Sequence, residues 1–275
     1  MTTARTIKQK RDDFYQLHQS GCFVIPNPWN IGTAICLEQM GFPAIASTSS
    51  GLAYANGMPD GTQGLDTVLA HLRELSCAVD IPLNADFENG YAEDIDQMQQ
   101  NITQCVATGI AGLSIEDAPQ GETVGLYDFA QAVKRVKAAR AAIDQTGERV
   151  VLTARTEGFI RGAPDLAETT RRIGAFVEAG ADCIYAPGIK TAEQILAVVK
   201  AANGKAVNIL CGNDLGFTVD DLASLGVRRI SVGGALARVA MDSFLSAARQ
   251  IAQEGNFRSF TGIVSGAELD KRFSP

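Results

Sequence analysis

Residues 82–116, PLNADFENGYAEDIDQMQQNITQCVATGIAGLSIE, contain one full cycle of the pattern that runs through this chain. Residues 82–87 read as a strand and 94–108 as a helix. Gly109 reads as the left-handed stop that ends the helix, and 112–116 as the next strand. Strand side chains alternate between faces, so Leu83, Ala85 and Phe87 share one side while Asn84, Asp86 and Glu88 share the other. An amide and two carboxylates cannot lie unpaired in a dry core. Either this strand end surfaces into water or something meets its oxygens, and a hard cation such as Mg²⁺ with its waters is the simplest partner.

The same unit recurs in both directions. Apolar runs fall at 22–25, 44–47, 82–87, 112–116, 150–155, 183–186, 206–210 and 229–232. Segments of helical length lie at 31–40, 65–79, 94–108, 127–145, 164–179, 191–202, 218–225 and 235–253, with Gly41, Gly109, Gly180 and Gly226 at helix ends. Eight βα units predict an α/β fold, the (β/α)8 TIM barrel. The rival, a doubly wound sheet, normally opens on a Gly-rich turn, and neither GxGxxG nor GxxxxGK[ST] occurs. Residues 3–20 predict an extra amphipathic helix ending at Gly21. The tail, 255–275, carries one more helical candidate at 266–272, expected to pack on its own barrel or on a partner subunit. The whole of 1–275 reads as one barrel domain.

Composition narrows the function. The chain has 275 residues, 46% hydrophobic and 20% charged, with a net charge of −7. No basic surplus exists to neutralise phosphates, which argues against nucleic acid or an anionic membrane as partner. No apolar run is long enough to span a bilayer, and the first fifteen residues lack an apolar signal core. Six scattered cysteines without a CxxC pair, and only His18 and His71, fit a reduced cytoplasmic protein without a zinc cluster.

Barrel strands are covered on both sides and should be nearly all apolar. The polar interruptions gather at strand C-terminal ends: Ser47, Asn84, Asp86, Glu88, Ser114, Glu116, Arg155 and Asn208. Barrel enzymes place their chemistry at that end. Alternation turns Ser114, Glu116, Thr153 and Arg155 inward, and Leu113, Ile115, Leu152 and Ala154 outward. A structural ion-pair network is the other reading. The loop TSSGLAYANGMPDG (48–61) offers the backbone N–H groups of Ser50, Gly51 and Leu52 to an anion. Asp60, in a Pro-Asp-Gly sequence, is by itself a surface turn. Gly233 and Gly234 fit either a phosphate site or close packing.

Six pieces carry a resemblance in a consistent order: NPWNIGTAICLEQMGFPAIASTSSGLAYANGMPDG, PLNADFENGYAED, AGLSIEDAP, LTARTEGF, GADCIYAPGI and GVRRISVGG. Together they resemble the isocitrate lyase/phosphoenolpyruvate mutase superfamily. That resemblance implies a (β/α)8 barrel, dimers or tetramers that often exchange the last helix, and Mg²⁺, with Mn²⁺ as a substitute. It implies C–C or P–C bond chemistry on small 2-oxo acids and related carboxylates. By motif, Asp86 resembles the metal ligand, and Asp60 and Glu116 the carboxylates that hold the metal's waters. Ser50, Gly51 and Leu52 resemble the substrate cradle, and Arg155 the arginine that pairs with substrate. Asn84 stands where some members have another aspartate. Asp117, Glu157 and Asn208 match recurring positions, Asn208 among the substrate contacts.

One departure matters. Isocitrate and methylisocitrate lyases carry Lys-Lys-Cys-Gly-His on the loop after the fourth strand, and phosphonopyruvate-type members use basic residues there. This chain reads DAPQGETVGLYDF (117–129), without Lys, Cys or His, and has Pro187 where the mutase has a histidine. Glu88, Glu122, Glu157, Tyr54, Cys211 and a metal-bound water remain as acid/base candidates, with Arg155, Glu116 and Glu88 expected at the chemistry. The expected protein is a cytoplasmic homodimer or homotetramer, a Mg²⁺-dependent lyase of a small 2-oxo or 2-hydroxy (di)carboxylate. P–C or phosphoryl chemistry on a phosphonopyruvate-like compound is the alternative, and a 2-oxo-acid binding protein with little turnover is another.

Overall fold

Eight short strands form one parallel sheet in the computed structural model, which describes residues 4–121 and 125–274. They are β1 (Phe23–Ile25), β2 (Ile45–Ala46), β3 (Leu83–Asp86), β4 (Gly112–Glu116), β5 (Val151–Arg155), β6 (Cys183–Tyr185), β7 (Ala206–Leu210) and β8 (Arg229–Ser231). Helix α1 (Ile7–Leu17) precedes the sheet. Helix α2 (Ile31–Gln39) follows β1, and α3 (Ser49–Ala55) and α4 (Leu65–Ala78) both follow β2. Helices α5 (Ile95–Val106), α6 (Phe129–Gln145), α7 (Leu166–Glu178), α8 (Ala192–Ala201), α9 (Val219–Ser224) and α10 (Ala235–Glu254) follow β3 to β8 in turn. Helix α11 (Gly266–Phe273) closes the chain. The predicted helix stops Gly41, Gly109, Gly180 and Gly226 all take positive φ.

The order β1-β8-β7-β6-β5-β4-β3-β2 brings the first two strands to the ends of the sheet. One backbone bond spans that seam, Ala46 N–H to Pro26 O at 3.0 Å. Asn27 completes it. Its Nδ2 donates to Ser47 O at 2.9 Å, and its Oδ1 accepts from the backbone of Val232 and Gly233. The barrel is thus nearly closed, and its last stitches lie at the end where the polar residues gather.

Two apolar layers follow from the alternation. Leu83, Ala85, Leu113, Ile115, Leu152 and Ala154 face the helices. Phe23, Ile25, Val151, Cys183 and Ala206 fill the N-terminal end of the barrel, around Phe14 from α1. Helix α1 is shorter than the sequence pattern suggests, 7–17 rather than 3–20, because Thr6 forms a capping box with Gln9 and His18 ends the helix. Its basic residues bind the C-terminal ends of two neighbours: Lys10 donates to Ser76 O and Val79 O, and Arg11 to Val106 O and Ile110 O. Phe14 fits so closely that a side chain on Gly112 would lie 2.5 Å from its ring. Phe14→Ala is expected to cost about 3–5 kcal/mol, the cavity penalty of a large buried ring, measured as a lower midpoint in urea unfolding.

The segment 48–61, read as a loop, instead begins with α3, capped by the Thr48 hydroxyl on Gly51 N–H. At the other end of the chain, α10 buries only Ala237. Val239 is 63% exposed and Phe244 65%, on a helix that in a barrel of this kind should cover the sheet. Helix α11 returns to α2 of its own chain, where Gln39 and Arg272 exchange hydrogen bonds. Among the described residues, no helix is long and apolar enough to cross a membrane.

Candidate active site

Arg155, the last residue of β5, organises the barrel's C-terminal mouth. Its Nη1 lies 2.9 Å from Glu116 Oε1 and 3.3 Å from Asp86 Oδ1, and its Nε lies 2.5 Å from Glu157 Oε1. The guanidinium also stacks 5.0 Å from the centre of the Tyr185 ring. Strands β3, β4 and β5 pair in register here, Glu116 opposite Arg155, so neighbouring strand ends deliver the ion pair directly. Burial works against the arginine's charge, yet Glu116, Glu157 and Asp86 together hold it firmly protonated.

Two adjoining cavities open around it. One of about 190 Å³ enters the barrel and is bordered by Asn84, Asp86, Ser114, Tyr185, Asn208 and the first turn of α3. The other, of about 340 Å³, lies beside Glu88, Glu116, Glu157 and Arg161. Ser49, Asp60 and Arg155 border both. The Pro-Asp-Gly turn is therefore not a bland surface feature. It arches over the mouth, and Gly61 packs so near the backbone of Gly121 that a Cβ would sit 3.1 Å away. Arg161 holds the same rim by donating to Gly121 O and Pro119 O.

The expected cradle is the N-terminal turn of α3. Gly51 N–H is already bonded to Thr48 Oγ1, Leu52 N–H to Thr48 O, and Ser49 N–H to Asp86 Oδ2. That leaves Ser50 as the expected donor still available to an anion. Gly234 serves close packing, since a Cβ there would collide with Ser50 Oγ. Asn208 borders the cavity, but its Oδ1 accepts from Arg229 and its Nδ2 donates to Ser231. Asp117 turns away from both cavities into a buried pair with Arg172 at 3.0 Å and also accepts from Glu157 N–H. Tyr54 is exposed on α3, and Cys211 borders neither cavity; burial pushes its thiol up rather than activating it. Glu122 lies outside the described residues.

Five carboxyl groups (Asp60, Asp86, Glu88, Glu116 and Glu157) face three guanidiniums (Arg155, Arg161 and Arg229) around these cavities. When all are ionised, two negative charges are left over. The carboxyls respond accordingly. Burial and then Asp86 push Glu88 up to about 7, against the opposing hydrogen bond from Tyr91. Partial desolvation and Asp86 raise Asp60, although its loop is open to solvent. Burial raises Glu116 and Glu157 despite the Arg155 charge beside them. Glu88 also sits at φ 43°, a strained backbone of the kind found at functional sites.

This donor set fits a hard divalent cation held mainly through water. Among the described residues, no three Asp, Glu, His or Cys side chains are grouped to hold an ion by themselves. Mg²⁺ commonly keeps several waters and takes only one or two carboxylates. Asp86 could bind directly, with Asp60 and Glu116 reached through water.

A pH effect follows for the metal-free protein. The Glu88 carboxyl ionises near 4.5 when unfolded and near 7 when folded. The folded state therefore binds the extra proton, and stability falls as pH rises from 4.5 through 7. The loss from this group is about 3 kcal/mol. Melting curves in EDTA between pH 5 and 8 should show it, and Glu88→Gln should reduce the slope, leaving the part that Asp60, Glu116 and Glu157 contribute.

Sequence reasoning missed Arg229 and His18 beneath the mouth, along with Tyr91 and Arg161 at its side. Arg229 carries the same signal as Arg155, a charge in a strand that should be apolar. It stands at the start of its strand, not the end, which hid it.

A nearly closed (β/α)8 barrel with an arginine and a ring of carboxylates at its C-terminal mouth has the form of an enzyme site for a small anion. The chain belongs to the isocitrate lyase/phosphoenolpyruvate mutase superfamily: the family model for phosphoenolpyruvate phosphomutase matches residues 14–252. A solved Burkholderia cenocepacia J2315 chain, assigned only as a lyase or mutase, is 39% identical, with a TM-score of 0.94 and 97% of each chain covered. The phosphonopyruvate hydrolase of a Variovorax species is 29% identical, covering 80% of this chain and 79% of the relative. The oxaloacetate decarboxylase of a Bradyrhizobium species is 27% identical, covering 90% and 86%. The protein is thus an enzyme of a superfamily of lyases and mutases that act on small carboxylates.

Proposed function

We propose that this enzyme is a Mg²⁺-dependent carbon–carbon lyase that releases a 2-oxo acid from a small 2-oxo or 2-hydroxy dicarboxylate. The observation that carries the reading is Arg155, fixed by three carboxylates beside the Ser50 N–H in the first turn of α3. Asp86 would hold the metal, with Asp60 and Glu116 on its waters. When bound, Mg²⁺ supplies Lewis acidity that draws off the charge building on a carbonyl oxygen as the neighbouring C–C bond breaks. Arg155 and the Ser50 N–H bind and orient the substrate carboxylate. In the metal-free protein burial, and then Asp86, raise the Glu88 carboxyl to about 7, and burial favours its protonated form. Its carboxyl borders the second cavity and can deliver a proton to the carbon that loses its bond, while for a 2-hydroxy substrate the carboxylate of Asp60, which borders both cavities, takes the hydroxyl proton.

P–C chemistry is the second reading, kept by the similarity to phosphonopyruvate hydrolase. The second cavity weighs against a doubly charged phosphonate, because its four carboxyls (Asp60, Glu88, Glu116 and Glu157) outnumber the guanidiniums of Arg155 and Arg161. The deciding assay offers oxaloacetate, methylisocitrate and phosphonopyruvate with Mg²⁺ or with EDTA, following pyruvate and free phosphate separately. Metal-dependent pyruvate without phosphate supports the lyase. Phosphate release supports the alternative, and binding without turnover overturns both.

The uncovered apolar side of α10 supports a second copy of the chain as its partner, in a homodimer or homotetramer. Light scattering is expected to give a mass above one chain, and Phe244→Glu to shift it to the monomer.

A further inference from the structure

Beneath the mouth, the floor of the smaller cavity carries a charge that the proposed chemistry leaves unused. Arg229 opens β8, faces inward and is 3% exposed. Its Nε donates to Asn208 Oδ1 and its Nη2 to Thr153 Oγ1, both at 2.9 Å. Its Nη1 lies 3.2 Å from His18 Nε2. Arginine has no acceptor, so His18 accepts there, and its Nδ1–H donates to Phe14 O at 2.7 Å. Burial first, and then Arg229 itself, push His18 down to about 3, so the ring is neutral.

All three partners of Arg229 are therefore uncharged. Among the described residues, no carboxylate pairs with it. A buried ion without a counter-ion is strongly disfavoured unless its partner arrives from outside. Three of the guanidinium's five N–H groups are engaged, which leaves two donors on a group that borders the cavity. Asn84, across the barrel on β3, borders the same cavity, and its buried Oδ1 has no partner either. The cavity's 190 Å³ holds about six waters at ~30 Å³ each, room for a four- or five-carbon acid.

We propose that Arg229 receives a second carboxylate of the substrate, at the end away from the group bound by Arg155 and α3, and so selects short dicarboxylates over monocarboxylates. A single carboxylate matches both the one missing negative charge and the two free donors of the planar fork. Asn208, Thr153 and His18 act as positioning residues that hold the guanidinium in place. This inference rests on the lyase reading only in seating the substrate in this cavity.

Titration calorimetry of the Mg²⁺-loaded protein with malate and with its 4-monoamide tests the proposal. The two probes share the 2-hydroxy acid head and differ only at the distal group, a carboxylate in one and an uncharged amide in the other. Wild type is expected to bind malate at least tenfold more tightly. Arg229→Gln is expected to reduce that ratio below threefold, chiefly by weakening malate binding. Equal binding of the two probes by wild type overturns the proposal, as does a folded Arg229→Gln that keeps the preference. Should that variant not fold, a wild-type structure with malate decides. The distal carboxylate within hydrogen-bonding distance of Arg229 supports the proposal, and any other position overturns it. None of these readouts needs turnover. A protein that prefers malate yet yields no pyruvate from any acid loses the lyase reading and keeps this one.

Discussion

Asp86→Ala is expected to lower metal-dependent turnover by about 10³-fold or more, the scale on which a metal stabilises developing charge, without unfolding the protein. Asp86 is the carboxylate common to the site's main interactions. It meets Arg155 through Oδ1 and the first turn of α3 through Oδ2, and it raises both Asp60 and Glu88. Removing it relieves that crowding, while Arg155 keeps Glu116 and Glu157. The metal-free variant should therefore melt no lower than wild type. The stabilisation by Mg²⁺ expected of wild type should vanish. Steady-state kinetics and melting with and without Mg²⁺ check both halves, and full activity in the variant would refute the metal assignment.

The second large effect belongs to Arg155→Met. Among the described residues, its guanidinium is the one cation in contact with Asp86, Glu116 and Glu157 together. Removing one partner of a buried ion pair costs about 3–5 kcal/mol, and losing a fixed substrate-binding charge should cut kcat/KM by about 10²–10³-fold. The stability deficit depends on pH. Burial already raises Glu116 and Glu157, and Arg155 is what holds them down. Without it their folded-state values rise further. A carboxyl raised in the folded state loses stability as pH climbs past its unfolded value. The variant should therefore lie nearest wild type around pH 5 and furthest from it around pH 8, in denaturant titrations at each pH. Arg155→Lys should not rescue activity, because an ammonium lacks the planar fork that meets three carboxylates at once.

The strands are legible in the sequence to within a residue or two, and so are the helices that follow them. Their signals are local: alternation in the strands, a 3.6-residue period in the helices and a glycine after four of them. Helix α3 is not legible. Ser-Ser-Gly is a poor start for a helix, and seven residues are too few to hold one by themselves. It forms because Gly51 lets its backbone approach Trp29 and Ala237, which are distant in sequence. The same limit applies to the site. Alternation correctly turns Asp86, Glu116 and Arg155 inward, but nothing local reveals that one guanidinium bonds both carboxylates. Asn208 shows the converse, a residue at the expected place whose amide is committed to Arg229 and Ser231.

From its sequence alone this chain determines a parallel barrel, the end that carries the chemistry and the acidic character of that end, because period and composition act over a few residues. The tertiary structure alone decides the seam stitched by Asn27, the two cavities, and the contact of Arg229 on β8 with Thr153 on β5 and His18 below. Those depend on barrel closure, which brings together groups as far as 211 residues apart, and charges interact through space, not along the chain.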